Sequence, residues 1–175
     1  MYKLVIFDFD AVLARAEDGP GRRCEPSPTT LAFLARHFGL PEGPSESMQL
    51  MPGAKALLRR LAGQGVVLAV VSAHPAAKVR KILGPEAAAL IEHYACGAAL
   101  FGMAAKVRRL VRRARVQPSD TLSIACATRH IEAARAAGVV AGAASWGRAA
   151  RETLAARAPA LLFETPDEVA ARLAA

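Results

Sequence analysis

The chain has 175 residues and a formal net charge of +8, and 53% of its residues are hydrophobic while only 5% are aromatic. This length predicts one compact domain with a full core. A membrane-spanning helix is excluded, because no apolar run approaches the roughly 20 residues that such a helix needs. The three cysteines, Cys24, Cys96 and Cys126, follow no pattern. We therefore expect no disulfide framework, and a cytoplasmic location fits best.

The positive charge comes from arginines that are dispersed along the chain. In the segment 106–115 the apolar Val107, Leu110 and Val111 keep helical spacing, which puts the arginines on the outer face of that helix. No aromatic residues alternate with them to form a stacking surface for bases. We expect a solvated helix face and no nucleic-acid partner, and the charge also suits a substrate that carries phosphate.

Two carboxylates follow the first predicted strand. Leu4 to Phe7 form an apolar run that leads into Asp8, and Asp10 comes two positions later. Such a run is typical of a buried parallel strand, whose carboxyl end is where open α/β sheets place their sites. Buried carboxylates are costly without a positive group between them. The pattern indicates a nucleophile with an acid/base, or a pair of metal ligands; solvated aspartates at a strand end are the alternative.

The segment 14–50 interrupts the regular order of elements. It contains four glycines and five prolines, which are typical of loops and turns. One helix is predicted within 27–39, where apolar residues follow a Ser-Pro start. We therefore predict an irregular insertion at 14–50, over the end of the first strand, and a core domain formed by 1–13 and 51–175.

Strands and helices alternate from residue 51 onwards. We expect helices at 52–62, 75–83, 86–91, 104–115, 129–137, 149–158 and 166–173, and strands at 66–71, 94–96, 121–125, 139–143 and 161–163. This alternation predicts an α/β fold with a doubly wound parallel sheet. Ser72 and Cys126 come just after two of these strands, so they should share one edge of the sheet with Asp8 and Asp10. No glycine-rich phosphate-binding motif is present.

Three segments resemble motifs of the haloacid dehalogenase (HAD) superfamily, in particular its phosphoglycolate phosphatase-like members. VIFDFDAVL is similar to the first motif, VVLAVVSAHP to the second and IACATRHIEAARAAGV to the fourth, and the resemblance covers nearly the whole chain. It implies a HAD-like, Rossmannoid fold with a helical cap, here truncated to 14–50. It also implies that Asp8 forms an aspartyl-phosphate, that Asp10 is the general acid/base and that Ser72 holds the transferring phosphoryl group.

The resemblance further implies Mg²⁺, held by Asp8, Asp10 and an acidic residue of the fourth motif, and a lysine from the third motif. Here the sequence departs from the family. Cys126 and His130 stand where the fourth motif has aspartates, and a thiol is a soft, poor ligand for Mg²⁺. Met103 falls at the usual place of the third-motif lysine. Lys106, about one helical turn further on, is the residue that could reach back to the site.

These departures leave several functional hypotheses open. The first is phosphomonoester hydrolysis of a small phosphorylated substrate, with Mg²⁺-dependent activity weak or lost. The second is a catalytically inactive HAD-fold module for binding or assembly. Cys126 and His130 could also join Asp8 and Asp10 in a transition-metal site for Zn²⁺ or Fe²⁺. A receiver-like signalling domain has the same architecture, but it needs an aspartate at the end of the third strand to accept a phosphoryl group. The third predicted strand of this chain does not end in one.

Two further expectations concern the surroundings of the site. His74 could touch a phosphate, but a surface turn suits it better. The insertion 14–50 is too short for a complete four-helix cap, which predicts an open site or one that a protein partner or a second copy of the chain covers.

Overall fold

The computed structural model describes residues 1–16, 48–97, 102–147 and 149–173. The strands of this part are β1 (Leu4–Asp8), β2 (Ala14–Ala16), β3 (Met48–Leu50), β4 (Val67–Val71), β5 (His93–Ala95), β6 (Thr121–Ala125), β7 (Val140–Ala144) and β8 (Leu161–Phe163). Its helices are α1 (Ala54–Gly63), α2 (Ala76–Leu90), α3 (Gly102–Ala114), α4 (Thr128–Ala136), α5 (Arg151–Ala155) and α6 (Pro166–Leu173). Six of the strands form one parallel sheet in the order β5-β4-β1-β6-β7-β8.

Strand β1 lies in the middle of this sheet, between β4 and β6. All five of its residues are buried, because helices cover both faces of the sheet. Val5 and Phe7 belong to a core with α1, α2 and α6, whereas Leu4 and Ile6 belong to a second core with α3 and α4. An apolar run without alternation is what burial on both faces requires. The predicted doubly wound α/β fold is thus confirmed.

The predicted elements agree with the observed ones to within a few residues at most ends. The predicted break at Gly84 is present as a kink inside α2, where that glycine has φ 75° and ψ 165°. Helix α5 is shorter than the predicted 149–158: it ends at Ala155, and Ala158 has a positive φ of 45°. Arg135 of α4 donates hydrogen bonds to the carbonyls of Arg157 and Ala158, which satisfies this early helix end.

A two-stranded antiparallel ribbon at the ends of the insertion was not predicted. Strands β2 and β3 pair so that Ala14 lies opposite Leu50. The main-chain N–H of Met51 also donates to the carbonyl of Leu13, at 2.8 Å. The insertion therefore departs from the core and returns to it side by side, next to the turn that carries Asp10. The helix predicted within 27–39 lies outside the described residues.

No helix among the described residues is long and apolar enough to cross a membrane.

The closing helix α6 buries its apolar side, formed by Val169, Ala170 and Leu173, in the first core. Its start is stabilised by Thr165, whose Oγ1 accepts a hydrogen bond from the N–H of Glu168 at 3.1 Å. The Glu168 carboxylate in turn accepts from the N–H of Glu164 at 2.7 Å. This differs from a capping box in one partner, because the carboxylate accepts from the N–H of the residue before the cap and not from that of Thr165.

Replacing the capping residue should weaken the fold without touching the sheet. We expect Thr165→Ala to lower the free energy of unfolding by about 1 kcal/mol, because one N–H of the first turn of α6 loses its acceptor. For a chain of this size that corresponds to a fall of about 2–4 °C in the midpoint of thermal unfolding. Thr153→Ala, at an exposed position within α5, is the matched control and should leave the midpoint unchanged or slightly raised. Equal losses in both variants would contradict the role of Thr165.

Candidate active site

The carboxyl ends of the three central strands bring the predicted polar residues together. Asp8 is the last residue of β1, Ser72 follows β4 and Cys126 follows β6. Asp8 is 3% exposed and Ser72 is fully buried. Because β1 hydrogen-bonds to both neighbours in register, the side chains at these strand ends occupy one small region. The prediction that Asp8, Ser72 and Cys126 share one edge of the sheet is confirmed.

Asp10 reaches the same region through the tight turn Phe9–Leu13. Burial of Phe9, Val12 and Leu13 fixes this turn, and Asp10 remains partly exposed between them. Ala11 within the turn has φ 67°, a left-handed conformation that is uncommon for residues with a side chain. The backbone thus tolerates strain of about 1–2 kcal/mol at the point where it turns past Asp8. Such strain is typical of functional sites.

The two oxygens of Asp8 have different environments. Oδ2 is hydrogen-bonded to Nδ1 of His130, which lies in the first turn of α4. Oδ1 is buried and has no hydrogen-bond partner among the described residues. Burial raises the pKa of Asp8 above the ordinary value, and the hydrogen bond and charge of His130 oppose this only in part. An unsatisfied buried carboxylate oxygen is unfavourable for folding, so its presence points to a functional role.

Asp10 is paired with a second histidine. Its Oδ1 lies 3.1 Å from Nε2 of His74, and its Oδ2 accepts a hydrogen bond from Oγ of Ser72 at 3.1 Å. Burial by itself raises the pKa of Asp10, but the hydrogen bonds from His74 and Ser72 and the charge of His74 outweigh it, so the pKa lies below the ordinary value. His74 is therefore part of the site, and the interpretation of His74 as a surface-turn residue was wrong.

The pKa shifts of the two aspartates are opposite to those that their implied roles would need in isolation. A nucleophile must be ionised, yet the pKa of Asp8 is raised; a general acid must hold a proton, yet the pKa of Asp10 is lowered. Neighbouring groups counter both shifts: basic side chains favour the ionised form of Asp8, and a histidine lies next to Asp10. His130 and Arg129 favour ionised Asp8. The contact between Asp10 and His74 holds a proton next to Asp10 when the imidazole carries it.

Lys106 is the lysine that reaches this edge. Its Nζ donates hydrogen bonds to the carbonyls of Ser72 at 2.7 Å and Gly97 at 2.5 Å. Burial lowers the pKa of Lys106, while the charges of Asp10 and Asp8 act in the opposite direction. Met103, at the place where the family resemblance predicts the lysine, packs against the second core instead. Lys106, which lies about one turn after Met103 in α3, is therefore the residue that contacts the site.

Cys126 is a small buried residue that also makes a polar contact. The side chain is 5% exposed, and its Sγ–H donates to the main-chain carbonyl of Asp10 at 3.3 Å. The loop after β7 packs directly over it: a Cβ added to Gly147 would lie 2.3 Å from Cβ of Cys126. Nε1 of Trp146 donates to the carbonyl of Val12 at 3.1 Å and ties this loop to the turn that carries Asp10.

The four predicted metal ligands are engaged in separate contacts. His130 contacts Asp8, whereas Cys126 contacts the main chain of Asp10. Among the described residues no group of three or more His, Cys, Asp or Glu side chains is placed to hold a metal ion. Mg²⁺ is usually bound through one or two carboxylates and keeps several water molecules. Here a thiol and an imidazole, Cys126 and His130, stand where the resemblance implies carboxylates, so this donor set fits Mg²⁺ poorly. The transition-metal hypothesis has no geometric support among the described residues.

Sequence reasoning missed the role of His74 and the contribution of Arg129. The available signal was spacing: His74 lies two residues after Ser72, in the turn that leads into α2, where its N–H also donates to Oγ of Ser72 at 3.0 Å. A residue in that turn faces the same edge as the strand end before it. Spacing alone could not show that the ring turns towards Asp10 instead of solvent.

Neutralising the buried carboxylate should stabilise the fold. We expect Asp8→Asn to raise the free energy of unfolding at neutral pH by about 0.5–2 kcal/mol, the range typical of stabilising substitutions at functional positions. A raised pKa in the folded state means that ionised Asp8 opposes folding above the ordinary carboxyl pKa of 3.8. The gain should therefore shrink as the pH falls and vanish below that value, where Asp8 is protonated in both states.

Thermal unfolding of wild type and Asp8→Asn across this pH range measures the effect. Asp120→Asn is the matched control, because Asp120 forms an exposed ion pair with Lys3 at 3.0 Å and should change stability by less than about 1 kcal/mol. A lower unfolding midpoint for Asp8→Asn at neutral pH would contradict the balance of burial and hydrogen bonding described for Asp8.

The contact between Gly147 and Cys126 can be tested by adding a methyl group at residue 147 and by removing the side chain at residue 126. We expect Gly147→Ala to destabilise the fold by about 1–3 kcal/mol, because the new Cβ overlaps that of Cys126 and the neighbouring backbone must move. Adding Cys126→Gly removes the overlapping atom and should recover part of the loss. Gly63→Ala has open space around its added Cβ and is the control. Chemical denaturation measures all four proteins, and additive losses in the double variant would refute the contact.

Comparison with known proteins gives one related sequence and many related folds. No protein-family model matches the chain. Over 124 residues, 70% of this chain, it is 29% identical to phosphoglycolate phosphatase from Synechococcus elongatus. The chain spans 58% of the length of that relative.

Solved structures match over almost the whole chain. A haloacid dehalogenase-like hydrolase from Streptococcus pneumoniae aligns with a TM-score of 0.75 at 16% identity, covering 98% of both chains. A predicted phosphatase from Clostridium acetobutylicum aligns with a TM-score of 0.79 at 14% identity, covering 99% of this chain and 98% of that one. A HAD family hydrolase from Deinococcus radiodurans, with bound phosphate and sodium, aligns with a TM-score of 0.72 at 18% identity, covering 99% and 95%.

The structural matches, at identities this low, establish the fold, and the sequence match points to the same superfamily. Together they confirm the resemblance that the three motifs indicate. The chain has a HAD-like fold, and its sequence is similar to phosphoglycolate phosphatase.

Proposed function

We propose that this protein hydrolyses small phosphate monoesters through an aspartyl-phosphate on Asp8. The observation that carries the proposal is the buried Oδ1 of Asp8, which lacks a hydrogen-bond partner among the described residues while Oδ2 is held by His130. A carboxylate that is fixed through one oxygen presents the other in a defined direction, which favours attack on a bound substrate. Asp10, whose Oδ1 lies 3.1 Å from Nε2 of His74, is two residues away.

The chemistry assigns a role to each of these groups. Oδ1 of Asp8 attacks phosphorus, and the bond between phosphorus and the ester oxygen breaks. The leaving oxygen takes the proton that is held between Nε2 of His74 and Oδ1 of Asp10. In the second step a water molecule gives a proton back to this pair and attacks phosphorus, and the bond to Asp8 breaks. Inorganic phosphate leaves and the Asp8 carboxylate is restored.

Positive groups around the edge support the binding of a phosphate ester. Lys106 lies close enough for its charge to act on both aspartates, and Arg129 acts on Asp8. Such groups stabilise the charge that develops on the phosphoryl oxygens. The name of the sequence relative and the phosphate bound in the Deinococcus radiodurans structure support the same substrate class.

The stimulation of this activity by Mg²⁺ is proposed to be weak or absent. Cys126 and His130 stand where the resemblance implies carboxylate groups, and neither is a hard oxygen ligand. When Mg²⁺ is bound to a phosphatase of this kind, it neutralises charge on the phosphoryl group. Losing such a contribution costs several kcal/mol of transition-state stabilisation, which would make turnover slow.

Hydrolysis of p-nitrophenyl phosphate tests the proposal. We expect slow release of p-nitrophenol by the wild type and a loss of roughly a thousandfold or more in Asp8→Asn, because the nucleophile is removed. Asp120→Asn, whose carboxylate pairs with Lys3 in an exposed ion pair, is the control and should retain the wild-type rate. Mass spectrometry of acid-quenched protein should detect one added phosphoryl group, absent in Asp8→Asn.

Two results would overturn the proposal. Equal rates in the wild type and Asp8→Asn would show that the release of p-nitrophenol comes from a contaminant or another residue. No release and no phosphorylated protein, over a panel of small phosphate esters, would favour an inactive HAD-fold module for binding or assembly.

A further inference from the structure

Two carboxylate–histidine pairs dominate the candidate site. Asp8 is paired with His130, and Asp10 is paired with His74. The side chains of His130 and His74 are 12% and 21% exposed, so both rings are largely enclosed by the site. Each ring contacts the aspartate through a nitrogen atom, which is the position that a cation would take to neutralise that carboxylate.

The thiol of Cys126 takes up one lone pair of a further oxygen at the site. It donates to the main-chain carbonyl of Asp10 at 3.3 Å, so that oxygen already has a partner. Gly147 packs against Cys126 so closely that a methyl group would overlap it. Backbone thus lies on one side of the thiol, and moving Cys126 aside to expose the carbonyl of Asp10 would disturb the loop after β7.

Basic side chains of the chain itself lie at the same edge: His130 is hydrogen-bonded to Asp8, His74 contacts Asp10, and Nζ of Lys106 donates to the carbonyl of Ser72. His130 and Arg129 act on Asp8, His74 acts on Asp10, and Lys106 acts on both. The negative groups that face them are the two aspartates. An incoming phosphate monoester brings about two negative charges and needs a matching number of fixed cations or donors. The four basic side chains can fill this requirement.

We propose that this site binds phosphate and transfers phosphoryl groups without a divalent metal ion, with His130 taking the place of the metal beside Asp8. The inference rests on the proposed function and goes beyond it, since the resemblance to phosphoglycolate phosphatases implies Mg²⁺. The bonds that form and break are those given above for Asp8 and the ester, and no co-reactant besides water is needed. His130 holds Oδ2 of Asp8, so Oδ1 alone faces the phosphorus atom.

Calorimetric titration of the whole chain with inorganic phosphate, with EDTA present or with millimolar Mg²⁺, tests the inference directly. We expect the same phosphate affinity in both buffers, and no heat of binding when Mg²⁺ alone is titrated into the protein. In His130→Gln the affinity for phosphate should fall about tenfold or more. The reason is that the buried hydrogen bond from residue 130 to the Asp8 carboxylate is weakened. Mg²⁺ should not restore it.

His93→Gln is the matched control, since His93 begins β5, at the opposite end of that strand from the site. Its phosphate affinity should equal that of the wild type. The variant Cys126→Asp/His130→Asp is the positive comparison: it supplies two carboxylates where the wild type has a thiol and an imidazole. It should gain measurable heat of Mg²⁺ binding, and circular dichroism should confirm that each variant is folded.

The outcomes separate the two proposals. Phosphate binding that needs Mg²⁺, or Mg²⁺ binding by the wild type that Asp8→Asn abolishes, would overturn metal independence and leave the proposed hydrolase intact. An unchanged affinity in His130→Gln would overturn the role of His130. No phosphate binding in either buffer, together with no turnover, would overturn the proposed function and this inference with it.

Discussion

The hydrogen bond between His130 and Asp8 is the interaction on which the site depends. Asp8 ends the central strand β1, where both faces of the sheet are covered, so the residue is almost wholly removed from solvent. Without a positive or donating partner, ionising it there would be prohibitively unfavourable. His130 provides that partner for one oxygen and leaves the other unpaired. The fold thus holds a reactive carboxylate at a cost to stability.

The parallel sheet explains why this arrangement can exist. Strands β4, β1 and β6 lie side by side and end at the same edge, so residues that are far apart in sequence meet there. The turn after β4, which leads into α2, carries His74, and the first turn of α4, which follows β6, carries His130. Each strand end therefore contributes a histidine opposite an aspartate of the β1 end. The turn after β1 and the loop after β7 complete the site, joined by the bond between Trp146 and Val12.

The two aspartates show how the environment divides similar groups between different tasks. Burial is the largest influence on the pKa of both aspartates. It prevails at Asp8, whereas at Asp10 the hydrogen bonds and the charge of His74 together outweigh it, so the two pKa values move in opposite directions. Each aspartate is in contact with one histidine, and the proposed function uses these contacts for proton transfer and charge neutralisation. Lys106, fixed by two main-chain carbonyls, adds a charge whose position does not depend on a long, free side chain. The chemistry of the edge is thus set by several weak contacts acting together.

Local sequence determined the doubly wound fold and the place of the site, because apolar runs without alternation must be buried on both faces and their polar ends must share one edge. It also marked Asp8, Asp10, Ser72, Cys126 and His130 as residues of that edge. Only the tertiary structure decided that Lys106 and not Met103 reaches the edge, that His74 turns towards Asp10, and that β2 and β3 pair. Those features depend on the rotation of α3, the direction of a side chain in a turn and the pairing of segments that are distant in sequence, none of which local periodicity specifies.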